Sequence, residues 1–146
     1  MEIDGIEETI YQEGFKQNAE VFCFHYKIQN KQFRLEWKLY DKSLKCPMDA
    51  LAFFIRNSIE ITDLNKNGIF EIWTMYSVAC KGDVSPNRLL LIMYEGDKKY
   101  KIEGTSLIDF IKNEKYGGEI EYLDQFNNEK VLLNHALKKW RKNIKG

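Results

Sequence analysis

Between residues 22 and 39 the chain alternates twice over. In Phe22-Cys23-Phe24-His25-Tyr26-Lys27-Ile28, the residues Phe22, Phe24, Tyr26 and Ile28 share one face. In Phe33-Arg34-Leu35-Glu36-Trp37-Lys38-Leu39, the pattern predicts Phe33, Leu35, Trp37 and Leu39 pointing in and the charges pointing out. A period of two belongs to half-buried strands, and Gln29-Asn30-Lys31-Gln32 between the runs suits a hairpin connection.

The rest of the chain extends this antiparallel theme. Residues 47–55 fit either a short helix or a strand and are read as a strand, while 58–62 and 70–79 flank a turn-rich loop. Residues 89–94 are apolar on both faces, the pattern of a central strand. Glu95-Gly96-Asp97-Lys98 then turns the chain back into residues 100–103 as a second hairpin. Residues 104–118 read as a loop with one short element, and 119–123 as an edge strand. At the C-terminus the period changes. Leu133, Ala136, Leu137, Trp140 and Ile144 follow the spacing of an amphipathic helix, with Asn127 as its cap and Phe126 stapled on Val131. The expected fold is α+β: an antiparallel β-sheet with hairpins and a C-terminal amphipathic helix packed on it. One domain of 146 residues divides into an acidic N-terminal segment (1–19), a mainly β core (20–126) and the helix (127–144).

Composition narrows the function classes. With 44% hydrophobic and 30% charged residues the chain is globular and not a disordered tail. Its longest apolar runs, 50–55 and 89–94, are far too short for a membrane span. Twenty-two basic and twenty-two acidic residues cancel, so no global field recruits nucleic acid. The cancellation is uneven along the chain. Glu2, Asp4, Glu7, Glu8 and Glu13 stand at one end, and Lys138, Lys139, Arg141, Lys142 and Lys145 at the other. The basic end is read as a solvated helix face whose cations complement the C-terminal dipole; the alternative is a site for an anionic glycan, lipid headgroup or nucleic acid.

The sharpest motif lies between two strands, in Asp63-Leu64-Asn65-Lys66-Asn67-Gly68-Ile69-Phe70-Glu71. Oxygen-bearing side chains fall at loop positions one, three, five and nine: Asp63, Asn65, Asn67 and Glu71. Gly68 allows the bend at position six, and the Ile69 carbonyl can turn inward at position seven. Calcium needs six to eight oxygens at about 2.3–2.6 Å, which alternating loop positions can deliver to one centre. An EF-hand is excluded, because its position twelve is here Thr74 and its flanks should be helices. The loop resembles the calcium loops on β-hairpins of FG-GAP and VCBS-type repeats, although it occurs once. Without metal, Asn67-Gly68 makes a tight turn, with Asp63 and Asn65 bonding their own backbone.

Catalytic signals are sparse. His25 and His135 stand in no H-E-x-x-H, nucleophile-elbow or Cys–His arrangement. Glu36, Glu71, Glu103, Glu119 and Glu121 leave open a glycoside-hydrolase carboxylate pair. Trp37, Trp73 and Trp140 can line a sugar cleft, but their spacing fits packing. Cys23, Cys46 and Cys80 permit one disulfide with one free thiol, or three reduced thiols.

Taken together, Trp37-Lys38-Leu39-Tyr40-Asp41, Cys46-Pro47-Met48-Asp49, the 61–71 loop, Ala79-Cys80-Lys81-Gly82-Asp83-Val84-Ser85-Pro86, Leu91-Ile92-Met93-Tyr94-Glu95-Gly96 and Leu137-Lys138-Lys139-Trp140 form a recognisable series. Over residues 20–143 it resembles a family of small bacterial envelope proteins described as surface (lipo)polysaccharide biosynthesis proteins. That resemblance implies a role in surface glycan assembly. It implies no known reaction and transfers no catalytic residue.

Members of that family carry a secretion signal, whereas this chain opens on the acidic MEIDGIEETIYQEG. The expected location is the periplasm or cell envelope if the native gene carries a signal upstream, and the cytoplasm otherwise. Export fits a Cys46–Cys80 disulfide with Cys23 free. The leading expectation is a non-enzymatic, calcium-stabilised envelope module binding a glycan or a protein. The alternatives are a glycan-processing enzyme with paired carboxylates, or a cytosolic interaction protein with a metal-free loop.

Overall fold

The computed structural model describes residues 16–111 and 114–145. Most of the acidic segment, residues 1–15, lies outside them. Ten strands are formed: β1 (Gln17–Gln29), β2 (Gln32–Cys46), β3 (Asp49–Phe54), β4 (Glu60–Thr62), β5 (Glu71–Lys81), β6 (Arg88–Glu95), β7 (Lys98–Thr105), β8 (Leu107–Ile111), β9 (Glu114–Gly117) and β10 (Ile120–Leu123). A 3-10 turn at Phe126–Asn128 leads into helix α1 (Lys130–Asn143). The architecture is α+β, as the change of period predicts.

The central sheet runs in the order β10-β7-β6-β5-β3, with β4 also pairing with β5, and every pairing is antiparallel. Helix α1 covers one face. There Trp73, Met75, Leu89, Leu91, Met93 and Ile102 meet Leu132, Ala136 and Trp140. The β1–β2 hairpin covers the other face, where Val21, Leu39, Trp37 and Cys23 pack on Tyr76, Val78, Leu90, Ile92 and Tyr94. Sandwiched between these layers, the side chains of residues 89–94 are all buried, which explains the unbroken apolar run of a central strand.

The hairpin corrects the expected phase of β2. His25 pairs with Trp37 and Tyr26 with Leu35, so Glu36 is an extra residue, a β-bulge. Beyond a bulge the side chains change face. Trp37 and Leu39 therefore point in as expected, while Phe33 and Leu35 point out and are exposed. On β1 the smaller Val21 and Cys23 take the inner face, because Tyr76, Tyr94 and Trp37 already fill that space. Phe22, Phe24, Tyr26 and Ile28 do share one face, and it is the outer one.

Three further expectations are corrected. Helix α1 begins at Lys130 after Glu129, and Asn127 belongs to the preceding 3-10 turn. Phe126 does not staple Val131, which is 44% exposed. Its ring instead stacks between Trp73 and Tyr100, at centroid distances of 6.3 and 5.2 Å. Apolar core space outcompetes a local staple. Residues 104–118 hold two short strands, β8 and β9, paired with each other.

Cys46 at the end of β2 and Cys80 on β5 form a disulfide, with Cα atoms 5.5 Å apart. Cys23 is free and half-buried, and burial pushes its thiol pKa up. Among the described residues no helix is long and apolar enough to cross a membrane.

Candidate functional site

The loop between β4 and β5 is organised by its own polar side chains. The N–H of Gly68 donates to Asp63 Oδ2 at 3.3 Å, that of Asn67 to Asn65 Oδ1 at 3.2 Å, and that of Ile69 to Asn67 Oδ1 at 2.8 Å. Successive Asx contacts of this kind wind the chain around a point. Lys66 at φ +57° and Gly68 at φ +80° provide the left-handed steps.

Glu71 sits beneath the loop with no exposed surface. Its carboxylate accepts from the Thr62 hydroxyl at 2.6 Å, from the Leu64 N–H at 3.1 and 2.9 Å, and from the Asn65 N–H at 3.5 Å. The Thr62 hydroxyl in turn accepts from Trp73 Nε1 at 2.8 Å, which ties the loop to the core under α1. As part of the expected set Glu71 is thus first an internal cap, satisfying backbone donors that would otherwise be buried unpaired.

A further carboxylate was missed from sequence. Glu95 ends β6 directly opposite Glu71 in the β5–β6 register and is 6% exposed. Its Oε2 accepts from Asn65 Nδ2 at 2.6 Å and from Asn67 Nδ2 at 3.1 Å. Both amides therefore converge on one oxygen. Asp63 Oδ1 is buried and has no hydrogen-bond partner. Among the described residues no Lys, Arg or His forms an ion pair with Asp63, Glu71 or Glu95. Nor does any group of three or more His, Cys, Asp and Glu side chains have the arrangement of a metal site. The loop's donor capacity lies in a mixed set of carboxylates, amides and backbone. Glu71 opens β5 and Glu95 closes β6, so it is the strand register that brings the two together.

The other candidates separate in space. Glu103 is held by Arg88 at 2.6 Å and Lys101 at 2.7 Å, and these hydrogen bonds keep its carboxyl below the usual range. Arg88 also reaches Asp41 at 3.0 Å, and the Tyr76 hydroxyl donates to Asp41 at 2.9 Å, locking the hairpin layer to the sheet. Burial and the Asp41 charge push the Tyr76 pKa far up. Asp83 accepts from both the backbone and the hydroxyl of Ser85, a turn, and its pKa is lowered by those bonds. Trp73 and Trp140 are buried core residues, and Trp37 stacks on Tyr94 at 4.0 Å.

The His25 ring lies tilted against Trp37, with centroids 5.3 Å apart. His135 does gain an acid that sequence could not place: its Nε2 is 3.1 Å from Glu60 Oε2, which also accepts from Lys139 at 2.8 Å. The Lys139 bond is the main reason that the Glu60 carboxyl lies below its ordinary range.

Another exposed surface lies elsewhere. On the outer face of β1–β2, Phe22, Phe24, Tyr26, Ile28, Phe33, Leu35 and Tyr40 are between 44% and 74% exposed. Phe22 stacks on Phe24 at 6.4 Å and on Tyr40 at 5.0 Å, and Phe24 on Tyr26 at 6.4 Å. Lys42 lies 5.4 Å over the Tyr40 ring, and Lys38 pairs in register with Phe24. A scan against protein-family models and searches of curated proteins and solved structures find no match to this chain.

Proposed function

We propose that this chain is a non-enzymatic, calcium-stabilised binding module of the bacterial envelope, and that it engages a protein partner in surface-polysaccharide assembly through the outer face of β1–β2. The observation that carries this reading is the row of seven large apolar side chains left in solvent on one hairpin face. Single exposed apolar residues are ordinary, but a contiguous stacked patch of this kind marks an interaction surface. Phe, Ile and Leu dominate it, which favours a protein surface over a sugar. Lys42 stands in register with Glu20 across the hairpin, which leaves Lys38 to face an acidic group of the partner.

The β4–β5 loop supports the calcium part. Asp63 offers a buried, unpartnered oxygen, and Glu95 meets the two amides where a cation would be held. Turning either amide about its terminal torsion would offer Oδ1 to a cation, at the cost of the bond that this oxygen accepts from the Asn67 or Ile69 N–H. Asp63, Asn65, Asn67, the Ile69 carbonyl and Glu95 would hold the ion, with Glu71 bracing the loop. Calcium supplies a fixed positive charge to this acidic pocket and no reaction chemistry. The disulfide supports an oxidising compartment.

The test is photo-crosslinking from position 24 or 26 in envelope extracts, comparing the wild type with a Leu35→Ser, Phe33→Ser variant of matched circular dichroism. A discrete protein crosslinked by the wild type and lost in the variant supports the reading. Equal crosslinking in both, or a self-dimer that the variant dissolves, overturns it.

A further inference from the structure

At the far end of α1 a concavity of about 300 Å³ opens between the helix and the β3–β4 connection. Its wall holds Glu60, whose carboxylate is bonded to both Lys139 and His135. Lys139 is buried, so this charge cluster is part of the fold. The rim differs. Lys138 and Lys142 are four residues apart, hence on one helix face, and both line the cavity with Asn57, Ile59 and Asn143. A smaller adjoining concavity of about 140 Å³ shares Lys142 and Asn143 and adds Arg56 from the β3–β4 connection.

Among the described residues Arg56, Lys138 and Lys142 have no acidic partner. The helix dipole explains a cation in the last turn. It does not explain Lys138, one turn earlier, or Arg56, which is not on the helix. Three cations without acidic partners around two adjoining hollows repel each other and are relieved by an anion.

The remaining lining defines the rest of the ligand. Asn143 Nδ2 is used on the Lys139 carbonyl at 2.8 Å, which leaves its Oδ1 to accept. Asn57 adds an amide, and Ile59, 62% exposed, offers an apolar patch. No aromatic ring other than the His135 imidazole lines the hollow, so a nucleobase finds no stacking partner. Donors, acceptors, a small apolar surface and a cationic rim match a compact polyhydroxylated anion.

We propose that this hollow binds a pyranose carrying one anionic group, a carboxylate or a phosphate. Lys138 and Lys142 take the anion with Arg56 behind them, the asparagine amides take hydroxyls, and Ile59 meets the C–H face of the ring. The proposal rests on neither the aromatic hairpin nor the calcium loop.

Glucose 6-phosphate and glucuronate are titrated into the 15N-labelled protein, with glucose and inorganic phosphate as controls. Saturable shifts of the residue 138–143 and Asn57 amides are expected with one or both anionic sugars, and which sugar binds identifies the anion. A Lys138→Ala, Lys142→Ala double variant should weaken binding at least about tenfold, since the loss of even one of its two charge-assisted hydrogen bonds costs that much. Because it removes repelling charges, its Tm without ligand should be equal or higher at low salt. Lys142→Gln alone should shift in the same direction. The Phe33→Ser, Leu35→Ser variant should bind the sugars as wild type does. The proposal is overturned if neither anionic sugar saturates, if glucose binds as well as its phosphate, if inorganic phosphate binds as tightly as glucose 6-phosphate, or if the double variant keeps full affinity.

Discussion

Gly104 shows how one residue decides an edge. A Cβ at this position on β7 would be driven into the Glu119 carbonyl, where β10 crosses. Gly104→Ala must therefore part the two strands or bend them, and an overpacking cost of about 1–3 kcal/mol is expected in urea unfolding. Glu103, its neighbour, carries a pH dependence. Hydrogen bonds from Arg88 and then Lys101 hold its folded pKa below the ordinary range, while an unfolded glutamate titrates near about 4.3. The stabilisation is therefore complete above that value and lost as pH falls through the lower folded pKa. Unfolding series between pH 6 and 3 should show the wild type losing more stability than Glu103→Gln; parallel curves would count against the pair. Such residues were only partly legible. Asp63, Asn65 and Asn67 could be picked out because they lie within five residues of one another. Glu95 and the Glu60–His135–Lys139 cluster could not, because strand register and helix docking bring together groups separated by 28, 75 and 79 residues.

At the scale of elements, periodicity located the strands and left their facing undecided. In β1 both phases contain apolar residues: Val21 and Cys23 on one, Phe22, Phe24, Tyr26 and Ile28 on the other. Only the large rings of Tyr76 and Tyr94 across the interface select the smaller set for the inside. In β2 the Glu36 bulge then reverses the phase midway, which no alternating pattern announces. The two halves of the strand should respond differently to substitution. Trp37→Ala removes a ring stacked on Tyr94 and packed against the inner core, at a cost of about 2–4 kcal/mol. Phe33→Ser, on the exposed side of the bulge, should stay within about 0.5 kcal/mol. Comparable losses at both positions in denaturant titrations would mean that the outer face is packed in solution. Helix α1 was legible in its buried stripe and not in its start, because the turn before it is shaped by Phe126 seeking the core instead of by a side-chain cap.

For the whole molecule, the three layers are tied at opposite ends of β5. Near its C-terminal end Cys80 holds β2 through Cys46, a closure spanning 34 residues that should contribute about 3–4 kcal/mol by restricting the unfolded chain. At its N-terminal end Glu71 braces the β4–β5 loop, and Glu95 faces it from β6. Under the calcium proposal only this second tie would depend on an ion. Without one, Asp63 Oδ1 is buried unsatisfied, a cost that calcium binding would remove in the folded state alone. Millimolar calcium should therefore raise the wild-type Tm over that in chelator. At a dissociation constant of about 10⁻⁴–10⁻³ M, typical of extracellular modules, the gain should be on the order of 1 kcal/mol. The increment should vanish in Asp63→Ala and shrink in Glu95→Gln, which weakens the carboxylate facing both amides. It should persist in Lys66→Ala, which lies between the ligand positions. Magnesium should substitute poorly, since it demands a stiff octahedral shell at about 2.0–2.1 Å. Reducing the disulfide should lower the Tm in chelator and leave a calcium increment, because the two ties sit at different ends of the strand and share no residue. If calcium and chelator give the same wild-type melting curve, the loop is held by its Asx turns and Glu71 alone, and the calcium assignment fails.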